Sequence, residues 1–148
     1  MADVHSQHTR SYNMSMIKGK NTKPEIIVRK YLFKAGLRFR VHVKNLPGKP
    51  DIVLPKYKTV IFVNGCFWHG HDDCQYYVVP KTRTDWWLKK IARNKELDFE
   101  SLLKLTSAGW QVYTVFECEL KKEKINQTLS QLLTDLKFTL QSNALKIN

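Results

Sequence analysis

Residues 59–63 leave this chain little choice of architecture. The run Thr59-Val60-Ile61-Phe62-Val63 keeps no polar side for water. A strand of that kind belongs in the middle of a sheet, covered on both faces. Helices on either side are the simplest cover.

The rest of the sequence supplies them. Thr22 can cap a helix, Pro24 suits its first turn, and Glu25 stands at the capping-box position. Ile27, Tyr31, Leu32 and Ala35 follow at helical spacing, and Gly36 can end the helix. A second helix is predicted over 84–105, with Trp87, Ile91 and Leu102 facing the core. A third is predicted over 124–140, with Ile125, Leu129, Leu132, Leu133, Leu136 and Leu140 forming its stripe. Residues 39–43 alternate like a strand, 46–50 form a turn, 51–54 are a short strand, and 55–58 reverse the chain. Gly109 introduces a last strand over 110–116. The order predicts an α/β fold, a mixed β-sheet flanked by helices. Its parts are a basic arm over 1–21, a core over 22–120 and a C-terminal helix within 121–148, all one domain.

Charge narrows the function. Lys and Arg number 25 against 13 Asp and Glu, a net charge of +12. Such an excess captures polyanions. The basic residues are spread over 18–34, 81–95 and 121–124, which suits a shaped surface better than a flexible tail. Aromatics among them point to nucleic acid. No apolar run reaches the about 18 residues of a membrane span. The polar first ten residues lack a signal-peptide core, so the expected location is cytoplasmic.

Three cysteines without a secretion signal argue against a disulfide scaffold. Cys66, His71 and Cys74 fall within nine residues, and Cys118 arrives from the last strand. Together they can close a tetrahedral zinc site. His69 also lies in this loop, and spacing alone does not choose between the two histidines. Inert thiols beside a surface histidine are the alternative.

Asp51 follows Pro50 at the start of a short strand, a place where nucleases hold magnesium with a hard oxygen ligand. Glu25 can add a second carboxylate, or serve only as a cap. His69 can take a proton from water near neutral pH, with Asp98 setting its tautomer. Phe67 and Trp68 are adjacent large aromatics in a polar loop. They either enter a base stack, with Met14 acting from the other groove, or pack on the metal loop. Lys89, Lys90, Arg93 and Asn94 are further candidate DNA contacts, to bases or to phosphates.

The run Val60-Ile61-Phe62-Val63-Asn64-Gly65-Cys66-Phe67-Trp68-His69-Gly70-His71 resembles the signature of the very-short-patch repair endonucleases, the Vsr family. Arg10-Ser11-Tyr12-Asn13-Met14 and Leu46-Pro47-Gly48-Lys49-Pro50-Asp51 agree in order and spacing. So do the stretch from Thr82 to Asn94 and that from Gly109 to Cys118. The likeness spans about residues 8–120.

The resemblance implies a restriction-endonuclease-like fold. It implies nicking 5′ to the T of a T:G mismatch, the lesion left by deaminated 5-methylcytosine, to start repair. It implies that Asp51 holds catalytic magnesium with the Val63 carbonyl. It makes His69 the base, oriented by Asp98 and supported by Glu25. Cys66, His71, Cys74 and Cys118 then bind structural zinc, and Met14, Phe67 and Trp68 wedge into the DNA. Val63 and Asn64 stand where relatives often carry Thr and His, and the His71-to-Cys74 spacing is one residue longer than in some. A monomer suits an asymmetric mismatch, and downstream repair proteins are expected partners. Two rival readings are a zinc-stabilised DNA-binding module without catalysis and a restriction-type nuclease cutting matched duplex.

Overall fold

The computed structural model describes residues 21–147, with side chains to residue 139. The apolar run lies, as expected, in the centre of a sheet. Strand β2 (Thr59–Asn64) has β1 (Ile52–Leu54) on one side and β3 (Gln111–Phe116) on the other. β1 pairs antiparallel, with Ile52 opposite Ile61. β3 pairs parallel, with Ile61 opposite Tyr113 and Val63 opposite Val115. A parallel pair needs a crossover, and helix α2 (Thr84–Ser107) lies in that connection. The sheet is therefore mixed, as the sequence predicts.

Side chains alternate between faces along each strand. Ile52, Leu54, Ile61, Val63 and Val115 pack with Val28 and Leu32 of helix α1 (Lys23–Lys34) and with Leu129, Leu132 and Leu136 of helix α3 (Ile125–Ile147). Val53 and Val60 face the other way and meet Leu105 of α2, with Phe62, Trp110 and Val112 beside them. Among the described residues, helices thus cover both faces, two on one and one on the other.

Thr22 caps α1, accepting from the Glu25 N–H at 3.5 Å. The Glu25 carboxylate reaches back to the Asn21 N–H at 2.8 Å, a reciprocal arrangement of the capping-box kind. Gly36 takes φ +90° just beyond the helix end, a conformation favourable to glycine.

Four expectations change. The strand over 39–43 reduces to one antiparallel bridge, Arg40 to Val53, with N–O distances of 2.7 and 2.9 Å. His42 is left-handed at φ +58° and ends the extended run. Phe39 therefore packs on the α1/α3 side while Val43 packs on the α2 side. A regular strand would put both on one face. Leu102 does not face the core: it is 39% exposed, and Leu105, three residues on, is buried instead. Trp87 is half-buried against aromatic rings of the loop after β2, away from the sheet core. Helix α3 begins one residue late and runs on to Ile147. Met14 and the rest of the basic arm up to residue 20 lie outside the described residues.

Leu105 is fully buried and Leu103 is exposed. Leu105→Ala is expected to lower stability by about 2–5 kcal/mol, and Leu103→Ala by less than about 0.5 kcal/mol. Urea melts check this; equal effects would misplace the α2 interface.

Candidate active site and metal cluster

The loop after β2 has few residues with which to build a core, so its position comes from what it touches. Four contacts fall on Ile91, Asn94, Lys95 and Asp98 of α2, spaced to share one helix face. The Asn94 amide donates to the Trp68 carbonyl at 2.9 Å. The His69 Nδ1 lies 2.7 Å from Asp98 Oδ2. Lys95 pairs with Asp72 at 2.9 Å. Gly70, at φ +56°, lies so close that a Cβ there would meet Ile91 at 2.6 Å and Lys95 at 2.7 Å.

Aromatic rings close the same junction. Phe67 meets Trp68, Trp87 and Tyr77 at centroid distances of 5.2, 5.3 and 6.4 Å. Trp68 meets Trp87 at 5.7 Å. These separations and tilts are those of favourable edge-to-face pairs. Trp68 also lines a cleft of about 1000 Å³. Phe67 does not.

That cleft opens along the end of β2. Its wall includes Glu25, Asp51, Val63, Asn64, His69 and Asp98. Thus the four residues expected to act in catalysis come together, although they lie on two helices, a turn and a loop distant in sequence. Asp51 sits just before β1, with its N–H bonded to the Ile61 carbonyl at 3.1 Å. Its Oδ2 accepts the Val63 N–H at 2.7 Å. Burial nevertheless pushes the Asp51 carboxyl up from 3.8 to about 6, and the neighbouring Glu25 carboxyl adds to the rise. The Val63 hydrogen bond and His69 oppose it. Glu25 is itself buried and leans on Arg29 at 3.0 Å. Two nearby carboxyls with one raised pKa form a site that a divalent cation would relieve.

The thiols gather on the other side of the loop. One ligand atom each from Cys66, His71, Cys74 and Cys118 lies within 4.8 Å of all the others. Cys118 N–H points at Cys66 Sγ at 3.4 Å, and Cys118 Sγ lies 3.4 Å from His71 Nδ1. The His71 ring stacks on Phe116 at 3.8 Å. His71, not His69, therefore joins the thiols. Burial pushes the Cys66 thiol up to about 12 and raises Cys118 too. A soft metal ion reverses that by favouring the thiolates. Three sulfurs and an imidazole are a fitting tetrahedral donor set, and the cluster can hold a metal ion.

The candidate DNA contacts divide. Lys89 and Lys90 are exposed on α2. Arg93 pairs with Glu96 at 3.0 Å and approaches Glu100 at 3.9 Å. Asn94 holds the Trp68 carbonyl. None of the four lines the cleft. Lys49 does, from a left-handed position in the turn before Asp51. Lys49 is not among the residues the sequence singles out; its place between Gly48 and Pro50, beside Asp51, is the available signal.

Comparisons with known proteins show the family. Residues 2–75 match the family described as DNA mismatch endonuclease Vsr. The chain belongs to the Vsr family. It is 44% identical over 137 residues to the DNA mismatch endonuclease Vsr of Escherichia coli K12, covering 91% of this chain and 87% of that one. It is 46% identical over 138 residues to the type II nicking enzyme V.NmeAIP of Neisseria meningitidis serogroup A, covering 93% and 98%. A third relative, the type II nicking enzyme V.XorIIP of Xanthomonas oryzae, is 47% identical over 120 residues, covering 81% and 88%. Vsr membership makes this protein a nuclease, a hydrolase whose partner is DNA. Among the described residues no helix is long and apolar enough to cross a membrane.

Asp51 gives a pH signature. Its folded pKa, about 6, lies above the ordinary 3.8, so folding favours the protonated form. Below about pH 4 both states are protonated and no penalty exists. The penalty grows as pH rises from about 4 to 6 and is complete above that. In metal-free buffer, Asp51→Asn is expected to be more stable than wild type at pH 7.5, by on the order of 2 kcal/mol, and the two should converge near pH 4. Thermal melts at both pH values check this. Equal stability at pH 7.5 would mean that the carboxylate carries no such strain.

Proposed function

We propose that this protein nicks one strand of duplex DNA 5′ to the T of a T:G mismatch, with Mg2+ at the carboxylate site and Zn2+ at the Cys/His cluster. The observation that carries this reading is the His69–Asp98 pair at 2.7 Å, opening on the same cleft as Asp51 and Glu25. The Escherichia coli relative carries the mismatch name. The Neisseria and Xanthomonas relatives carry the nicking name. Together they support strand-selective cutting of mispaired DNA.

The chemistry follows from the residues. An ionised Asp98 can only accept, so Nδ1 of His69 carries the proton between them. Nε2 then keeps its lone pair and takes a proton from the attacking water. Asp51, with Val63 beside it, and Glu25 would hold Mg2+. The bound ion supplies neutralisation of the charge that builds on the phosphate. Asn64, buried at the end of β2 on the cleft wall, can donate a hydrogen bond to the phosphate but not a proton. The leaving oxygen therefore draws its proton from solvent. Cys66, His71, Cys74 and Cys118 would hold Zn2+ with no open position, a structural role.

Trp68, and Phe67 behind it, would press on the base stack, aided by Met14 from the arm. A mispaired step yields at lower cost than a paired one, which selects the site. Lys89 and Lys90 are suited to phosphates, and Arg93 and Asn94 act through α2 and the loop. The protein acts as a monomer in the cytoplasm, and repair enzymes receive the nick.

A nicking assay on T:G and matched duplexes with varied flanking bases tests this. Wild type with Mg2+ should cut the T strand of the mismatch alone. Asp51→Ala and His69→Ala should each reduce the rate by at least about 100-fold while binding DNA. Equal cutting of matched duplex would move the protein to a restriction-type activity, and tight binding without cutting to a binding module.

A further inference from the structure

Half of the cleft wall is wrong for a phosphate. Asp51, Glu25, His69 and Asp98 line one part, but Phe62, Phe99, Leu102 and Val112 line another. Phe99 is 60% exposed and Leu102 is 39% exposed. They stand one turn apart on α2, at a spacing that puts both on one side of the helix. An apolar wall cannot bind the charged backbone of DNA. It can take the face of a base or a deoxyribose.

Position follows from the His69–Asp98 bond. Trp68 precedes His69 and Phe99 follows Asp98, and both line the cleft. Two aromatic residues therefore line the cleft into which the pair proposed to activate water opens, one from the loop and one from the helix. Trp68 is already engaged with Phe67 and Trp87. Lys49 lines the same cleft and offers a cation to the intervening phosphate. Its turn is pinned to α2, since a Cβ on Gly48 would lie 2.8 Å from Ser101.

We infer that Phe99 and Leu102 form a second platform, on which the nucleoside on one side of the nicked phosphate packs while Trp68 serves the other. This rests on the reading of the cleft as the DNA-cutting site. The occupant is a nucleotide of the strand being cut, because the apolar wall is continuous with the carboxylate and histidine wall. The platform fixes where along the strand the phosphate stops. It adds an anchor that the Phe67-Trp68 loop does not provide.

The test uses the full chain and T:G duplexes with 2-aminopurine placed in turn on either side of the nick position, Mg2+ being withheld. Wild type should change the fluorescence at both positions. Phe99→Ala should lose the change at one of them and bind roughly 5- to 100-fold more weakly, the range for one lost base stack. Its salt dependence should stay that of wild type, since no phosphate contact is removed. Phe99→Trp should restore both binding and fluorescence. Because Phe99 is exposed, circular dichroism should show an intact fold in each variant. Phe99→Ala that binds and fluoresces as wild type does, while wild type nicks T:G DNA once Mg2+ is added, overturns the platform and leaves the nuclease reading intact. A shallower salt slope in Phe99→Ala overturns it too, since the lost contact would then be ionic. Wild type that neither binds nor nicks T:G DNA overturns both.

Discussion

Cys118 closes on Cys66 across 52 residues of chain, its N–H 3.4 Å from the Cys66 sulfur. His71 and Cys74 complete the cluster. This junction ties the loop after β2 to the end of β3, and much of the site depends on it. The loop carries His69 and Trp68 but has little apolar area of its own. Without a tie on the β3 side, its contacts with α2 would have to order it alone, against the conformational entropy of a long irregular segment. With the tie, the loop is gripped between two elements that the sheet already fixes.

The α2 face at Ile91, Asn94, Lys95 and Asp98 provides the second grip, and it sets the chemistry. The spacing that lets α2 receive the loop also puts Asp98 opposite His69 at 2.7 Å. Across the cleft, Asp51 is fixed by β-sheet bonding, with its backbone on Ile61 and its carboxylate on the Val63 N–H. A strained carboxylate and an oriented imidazole thus face one opening from independent supports. A cation bound between Asp51 and Glu25 would relieve the burial that raises the Asp51 pKa.

Much of this could be read from the sequence because it depends on short-range pattern. The doubly apolar run over 59–63 demanded a central strand and two helical layers. Cys66, His71 and Cys74 declared themselves by proximity, and Asp51 by its turn. Cys118, Glu25 and Asp98 were candidates by residue type, and the family resemblance gave them definite roles, since only folding brings them near. The misses share a cause. The 39–43 run alternates as a strand should, but His42 turns left-handed so that Phe39 and Val43 serve opposite faces. Leu102 fits the apolar period of α2, yet the helix outruns the sheet it covers and Leu102 meets the cleft. Asn94, a candidate DNA contact, also donates its amide to the Trp68 carbonyl, a tie the sequence did not signal. Each depends on where an element ends relative to its neighbours, which local periodicity does not encode.

If the Cys/His junction supports His69, a Cys74→Ala variant shows it most directly. Cys74 lies outside the cleft, and the thiol is far in role from the carboxylates. Metal content by mass spectrometry, measured beside nicking of T:G duplex, should show one zinc per wild-type chain. The variant should lose the zinc and the nicking together while its far-ultraviolet circular dichroism keeps the helices and sheet. Full nicking by a zinc-free variant, or a wild-type chain that carries no zinc and cuts normally, would contradict the account.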